Sequence, residues 1–232
     1  MNMRKTTVVA SLALGLSAVA QANIIGNISV TSNYVSRGVT QTNDQAAVQG
    51  GLDYTTEEGI YAGVWASNVS DGTEIDLYVG YQNSVEGFDY SVGVVRYEYP
   101  QTAETSSTCM PDYTEISASV GTGPVTAGLS YTIDSDKVDM IGANEKGIEG
   151  DLYYYVSAGM PLENDWHVEG TLGYYDYQDD GIKNKRTSYK HIEVALDKDL
   201  DDLGAMTFAL SQADKESGDN DPLVSVAWSQ HF

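Results

Sequence analysis

Cysteine, histidine and basic residues are all scarce in this chain of 232 residues, and long apolar runs are missing. The single cysteine, Cys109, rules out an intramolecular disulfide, so stability must come from burial and hydrogen bonding. It lies in PQTAETSSTCMPD, with no histidine or helix start nearby to activate it, and reads as an incidental loop thiol. Lys and Arg number 12 against 34 Asp and Glu, a net charge of −22. A chain this acidic repels nucleic acid, which excludes that class of partner. Past the N-terminal leader nothing approaches the roughly 20 apolar residues of a membrane helix, so a helical inner-membrane protein is excluded too. Disorder does not fit either, because 17 Tyr and 41% hydrophobic residues supply ample material for burial.

What is present begins with a leader. MNMRKTTVVASLALGLSAVAQA has a basic start at Arg4 and Lys5, an apolar stretch from about Val8 to Leu16, and the small-residue pattern Ala20-Gln21-Ala22. These are the parts of a secretory signal peptide; its apolar part is too short for an anchoring helix. Residues 1–22 are expected to be cleaved, leaving one domain over 23–232. Losing Arg4 and Lys5 takes the net charge to −24.

Beyond the leader, apolar residues recur at every second position and almost nowhere at helical spacing. In EIDLYVGY, Ile75, Leu77, Val79 and Tyr81 alternate with Glu74, Asp76, Tyr78 and Gly80. VTAGLSYTI and LYYYVSAGM repeat the pattern from Val125 and from Leu152. Twelve such segments are predicted, near 27–39, 46–55, 60–68, 73–82, 88–99, 113–121, 125–133, 151–160, 166–177, 188–197, 204–212 and 223–232. Most have the ~9–11 residues of a strand that crosses a bilayer at a tilt. Connections after even-numbered segments are short: TEEG, NSVEG, TGP, PLEND and KDLDDL. Several after odd-numbered ones are long and polar, such as DSDKVDMIGANEKGIEG and ADKESGDNDP.

Short turns at one rim and long loops at the other describe an all-β, closed, antiparallel up-and-down transmembrane barrel of about twelve strands. An exported β-sandwich also alternates, but its turns need not sort by length. Aromatics argue the same way: Tyr54, Tyr61, Tyr81, Phe88 and Trp166 fall near the short turns, and Tyr97, Tyr99, Tyr113, Tyr174 and Tyr189 near the other rim. Two belts are expected where a barrel meets the two membrane interfaces. The chain ends on LVSVAWSQHF, an apolar stripe of Val224, Val226, Trp228 and Phe232. A last strand must close the sheet, because an open edge in lipid leaves backbone groups unpaired. Phe232 then reads as the terminal aromatic signal for the barrel-insertion machinery.

Residues 32–69 carry a more specific pattern. Tyr34, Arg37-Gly38, Gln41, Gln49-Gly50-Gly51, Asp53-Tyr54, Gly59, Tyr61-Ala62-Gly63, Trp65 and Ser67-Asn68 together resemble the TorF-type porins, also known as the Gcw conserved hypothetical family. Thr40 departs from that pattern, where Ser would be expected before Gln41. The resemblance implies a proteobacterial outer-membrane barrel and identifies no substrate.

Strand parity turns Asp53, Glu74, Asp76, Asp89, Glu115, Glu169 and Glu193 into the lumen, with Arg37 as the clearest opposing charge. Arg37 either lines the pore as a cation or pairs with a lumen carboxylate and braces the wall beside Gly38. A slip in VGVVRYEY between Val94 and Val95 suggests a β-bulge that would bring Arg96 and Glu98 inward. Eight-stranded barrels are filled and sixteen-stranded ones leave a channel, so twelve strands allow a narrow pore or a plugged interior.

Catalysis is not expected. His167 and His191 fall some seven residues apart along one hairpin, on the order of 20 Å, and no nucleophile motif such as G-x-S-x-G is present. Two acidic stretches, DYQDDGIKNKRT and DKDLDDLG, miss the calcium-loop pattern, so neither a metal site nor any cofactor is expected. Two functions remain. One is a narrow, acidic, cation-preferring pore for small cationic or neutral solutes. The other is a non-conducting barrel whose acidic loops meet divalent cations, lipopolysaccharide or a partner protein. Outer-membrane lipid and lipopolysaccharide surround the barrel in either case.

Overall fold

The computed structural model describes residues 23–100, 111–136, 148–178, 187–218 and 220–232. The leader, Cys109 and the central parts of three long connections, including most of DYQDDGIKNKRT, lie outside them. In chain order the strands are β1 (Asn23–Thr31), β2 (Val35–Ser36), β3 (Val39–Thr40), β4 (Ala47–Thr55), β5 (Ile60–Val69), β6 (Gly72–Val85) and β7 (Phe88–Glu98). They continue with β8 (Tyr113–Thr122), β9 (Val125–Ser135), β10 (Leu152–Pro161), β11 (Trp166–Asp176), β12 (Tyr189–Asp199), β13 (Ala205–Ala213) and β14 (Leu223–His231).

All but β2 and β3 form a closed barrel of twelve antiparallel strands, each paired with its neighbours along the chain. The ring is completed where β1 pairs with β14, from Asn27 opposite His231 to Thr31 opposite Ala227. Phe232 extends that seam: Gly26 N–H donates to its carbonyl and its N–H donates back to Gly26, both at 2.9 Å. The ring of Phe232 lies over Gly26, where any Cβ would collide with it, so this outer face of β1 requires glycine.

Period two explains why this sequence makes a wall with two unlike faces. Leu52, Leu172 and Leu210 stand 52%, 56% and 51% exposed on the outside, in a band with Val79, Val92, Val120, Leu129 and Ile192. A sandwich would bury these side chains against a second sheet; here they have no protein partner, and only a bilayer would cover them. Near the short turns the band is edged by Tyr54, Phe88 and Trp228, by Tyr81 packed on Tyr90, and by Trp166 packed on Phe208.

Three expectations need correction. The first segment begins at Asn23, before the expected 27, and its wall strand stops at Thr31. Residues 32–46 then leave the wall, and β2 and β3 pair only with each other. Backbone conformation explains why they pair as a hairpin. Arg37 and Gly38 both have positive φ, 50° and 84°, which makes a two-residue reversal between Ser36 and Val39 and ends any straight strand.

The bulge is also elsewhere. Strand β7 pairs without a slip on both sides, and the register shift falls between Thr114 and Glu115, opposite Ile133. Val95 therefore points inward, while Arg96 stays on the outer face with Glu98 and Asp134 at 3.2 and 3.4 Å. Third, Tyr61, Tyr97, Tyr99, Tyr113 and Tyr189 are buried inside the barrel and form no outer belt. Their odd numbering sets them on the lumen face of their strands, a parity that position along the strand alone does not reveal.

Candidate functional site

The segment between β1 and β4 folds back into the barrel, and its tip carries Arg37. A guanidinium placed there meets Glu115 of β8 in a two-pronged pair, Nη1 to Oε1 at 2.9 Å and Nη2 to Oε2 at 2.6 Å. Its plane lies over Tyr153 of β10 at 4.5 Å and Tyr175 of β11 at 5.2 Å, which adds cation–π attraction in a dry setting. Tyr189 of β12 donates to the Arg37 carbonyl at 3.0 Å. A Cβ on Gly38 would run into His191, so only glycine lets the tip come this close. Starting from β1, the hairpin thus spans the lumen to the strands on the far side.

A second anchor sits three residues earlier. Tyr34 packs edge-on against Trp65, with centroids 5.6 Å apart, and donates to Glu74 Oε1 at 2.8 Å. Tyr99 donates to the other oxygen of Glu74 at 2.6 Å. The hairpin's own bonds hold its shape: Gln41 N–H to the Tyr34 carbonyl at 2.7 Å, Thr40 Oγ1 to Asn33 Oδ1 at 2.7 Å, and Asn33 Nδ2 to Asp44 Oδ1 at 2.7 Å. Arginine in the left-handed region is uncommon and costs about 1–2 kcal/mol, so the contacts at its side chain must outweigh that strain.

Of the residues read from sequence, the structure brings Arg37, Glu74, Asp76 and Glu115 into the loop-side half of the interior. Asp76 is 1% exposed and sits between Trp65 and Tyr97 on the neighbouring strands. Neither of its carboxylate oxygens has a hydrogen-bond partner among the described residues. Asp53 lies nearer the turn side, accepting from Asn27 Nδ2 at 3.2 Å and from the Tyr78 hydroxyl. Asp89, by the β6–β7 turn, accepts from Ser84. Glu169 and Glu193 are half-buried on β11 and β12, away from the Arg37 pair.

Asp197 was missed, although it shares the parity of Glu193. It is buried, accepts from Thr207 Oγ1 at 2.6 Å and faces His167 Nδ1 at 3.7 Å. The inward tyrosines around Arg37 were missed as site residues for the reason given above. His191 meets the Tyr153 hydroxyl at 2.9 Å and pairs with Gly173, which puts His167 six residues further along β11. Among the described residues no group of three or more His, Cys, Asp or Glu side chains could hold a metal ion.

Arg37 is the only Lys or Arg side chain inside the barrel among the described residues; Arg96, Lys190 and Lys198 lie on outward parity. The same interior holds the carboxylates of Asp53, Glu74, Asp76, Asp89, Glu115, Asp151, Glu169, Glu193 and Asp197. The interior is strongly acidic, aromatic on the β5–β12 side, and crossed by a hairpin.

Such a wall and interior define a porin-like barrel. The solved KdgM porin superposes with a TM-score of 0.58 at 6% identity, over 90% of this chain and 98% of that one. The KdgM porin in complex with disordered oligogalacturonate gives 0.57 at 7%, over the same shares of the two chains. At such identities the likeness concerns the fold alone. No curated protein sequence matches. The chain belongs to Gcw_chp, a family of bacterial proteins of unknown function, whose model matches residues 17–221.

Proposed function

We propose that this chain is an outer-membrane porin of the TorF type, and that its pore favours small cationic and neutral solutes. The sign of the interior carries this reading: inward carboxylates far outnumber the single guanidinium of Arg37 among the described residues. Low-dielectric walls amplify a fixed field, which concentrates cations and keeps anions out. The KdgM porin has been solved with oligogalacturonate, a chain of acidic sugars. A lumen of the present sign repels such a polyanion, so that ligand is not proposed here. Export through the 1–22 leader and insertion guided by Phe232 belong to the same proposal. The test is a reversal potential across a planar bilayer under a KCl gradient. A tenfold gradient across an ideally selective pore gives about 59 mV, and the expected value is a large fraction of it with the cation-preferring sign. Anion preference would overturn the reading.

A second reading, a non-conducting barrel, has one observation in its favour: the hairpin crosses the lumen and is bonded to its far side. In that case the acidic loop rim would be the working surface, with Arg96 set among Glu98, Asp134, Asp112 and Asp136 at 3.2–3.9 Å. Divalent cations bridging these carboxylates to lipopolysaccharide phosphates would then be the expected partners. Absence of conductance over many insertions would decide for it.

A further inference from the structure

The contacts that hold Arg37 are made by the wall, and they are of a kind that selects one type of cation. Glu115 of β8 offers both carboxylate oxygens to the guanidinium, and the rings of Tyr153 and Tyr175 lie against it from β10 and β11. A planar fork of N–H donors suits that combination. An ammonium is a point charge that neither forms the two-pronged pair nor stacks. Tyr189 of β12 donates to the Arg37 carbonyl, so this seat grips an arginine unit at both ends.

None of these groups relies on the hairpin for its own position. The Tyr97 hydroxyl donates to Glu115 Oε2 at 3.4 Å, while Tyr153 meets His191 at 2.9 Å and stacks on Tyr155. Tyr175 stacks on Tyr189 with centroids 5.8 Å apart and packs against Tyr177 at 4.6 Å. These braces run within the barrel and its rim, and β2 and β3 share no ladder with it. Withdrawal of the hairpin would leave the seat standing with a buried carboxylate in need of a counter-charge. Arg37 also holds its place at a φ of 50°, a strain that an untethered ligand does not share. Even with the hairpin docked the Arg37 side chain is 16% exposed, so water reaches the seat.

We infer that the wall carries a binding site for arginine-like cations, which Arg37 occupies as a tethered ligand. The chemical class is an alkylguanidinium with an acyl oxygen at the spacing of arginine. Free arginine and its amides qualify, as does a peptide whose arginine precedes glycine, since a Cβ at residue 38 collides with His191. A free ligand competes with a tether whose effective concentration is millimolar or higher, so it fills the site where the hairpin has left. The site is a property of wall and hairpin, and it stands whether or not the barrel conducts.

Isothermal titration calorimetry on the refolded barrel in non-ionic detergent tests this, with L-arginine amide and L-lysine amide as probes of matched charge. Heat-dependent migration first confirms that each variant is folded. Arg37→Ala should bind arginine amide about tenfold more tightly than lysine amide, the difference between a forked, stacking cation and a point charge. The parent, whose seat is full, should bind arginine amide far more weakly than the variant does. Adding Glu115→Gln to Arg37→Ala should abolish the preference. Gly38→Ala displaces the tip without removing Arg37 and serves as the second variant should Arg37→Ala not fold, with the same order of affinities expected. Equal binding of the two amides would reduce the interior to diffuse attraction of cations and overturn the inference. Binding undiminished by Glu115→Gln, or no binding in a folded variant, would overturn it as well. A bilayer recording without conductance would remove the pore and leave this result untouched.

Discussion

Replacing Arg37 by alanine tests whether the hairpin is held by its tip. The side chain is 16% exposed and its partner Glu115 only 2%, so the substitution leaves a buried carboxylate without its cation and strips the guanidinium from the Tyr153 and Tyr175 rings. Removing one member of a buried ion pair costs about 3–5 kcal/mol, most of it the uncompensated charge left behind. At about 1.4 kcal/mol per tenfold, docking of the tip should weaken by two to three and a half orders of magnitude. The wall itself does not depend on this contact, because β2 and β3 share no hydrogen-bond ladder with it.

Arg37→Ala should therefore insert and keep its strand content while its single-channel current grows larger and noisier. Protease should reach residues 32–46 in the variant and not in the parent. Adding Glu115→Gln should recover much of the heat resistance lost by the single substitution, since the orphaned charge is gone, yet leave the noisy current in place. Current, noise and protease resistance all identical to the parent would refute the account of Arg37 as the hairpin's anchor.

Other substitutions probe separate parts of the argument. Asp76→Asn removes a buried charge that has no hydrogen-bond partner among the described residues, and should raise the temperature at which the unboiled barrel unfolds in SDS; a lowered temperature would mean the carboxylate is compensated. Gly38→Ala would drive a Cβ into His191 and force a side chain onto a backbone at φ 84°, so it should mimic Arg37→Ala in noise and proteolysis. Deleting Phe232 removes two backbone hydrogen bonds to Gly26 and should lower membrane insertion far more than it lowers strand content after refolding in detergent; equal membrane yield would remove its targeting role. The intact protein should fractionate with the outer membrane and migrate faster unboiled than boiled, and a soluble periplasmic species without that shift would count against the barrel.

The wall was legible because lipid and lumen impose opposite chemistry at every second residue, and sequence records that directly. Segments such as Ile75–Tyr81 announce their strand, their facing and their turn ends, and the sorting of short and long connections supplies the topology. The first segment was misjudged for an instructive reason. Alternation runs on through Thr31, Asn33 and Val35 as if the strand continued, whereas the chain has left the wall after Thr31 and doubles back through positive φ at Arg37 and Gly38. Gly38 was a visible warning; an arginine in the left-handed region was not. The misplaced bulge has a similar origin, since the slip at Val94-Val95 is an inward valine in an unbroken ladder.

The interior was legible only one strand at a time. Parity says that Glu115 and Arg37 both face inward, but 78 residues separate them and nothing local specifies that they meet across the lumen. That meeting depends on where β8 falls in a ring of twelve, on its height at the register shift, and on how far the hairpin reaches. Charge alone therefore suggested an arginine exposed to solute or an arginine paired to a wall, and only closure of the barrel distinguishes them. The pairing also changes what the remaining acids can do. With Glu115 neutralised by Arg37, Glu74 held by two tyrosine hydroxyls and Asp76 shut away, the carboxylates nearest the hairpin are poorly placed to act on a solute.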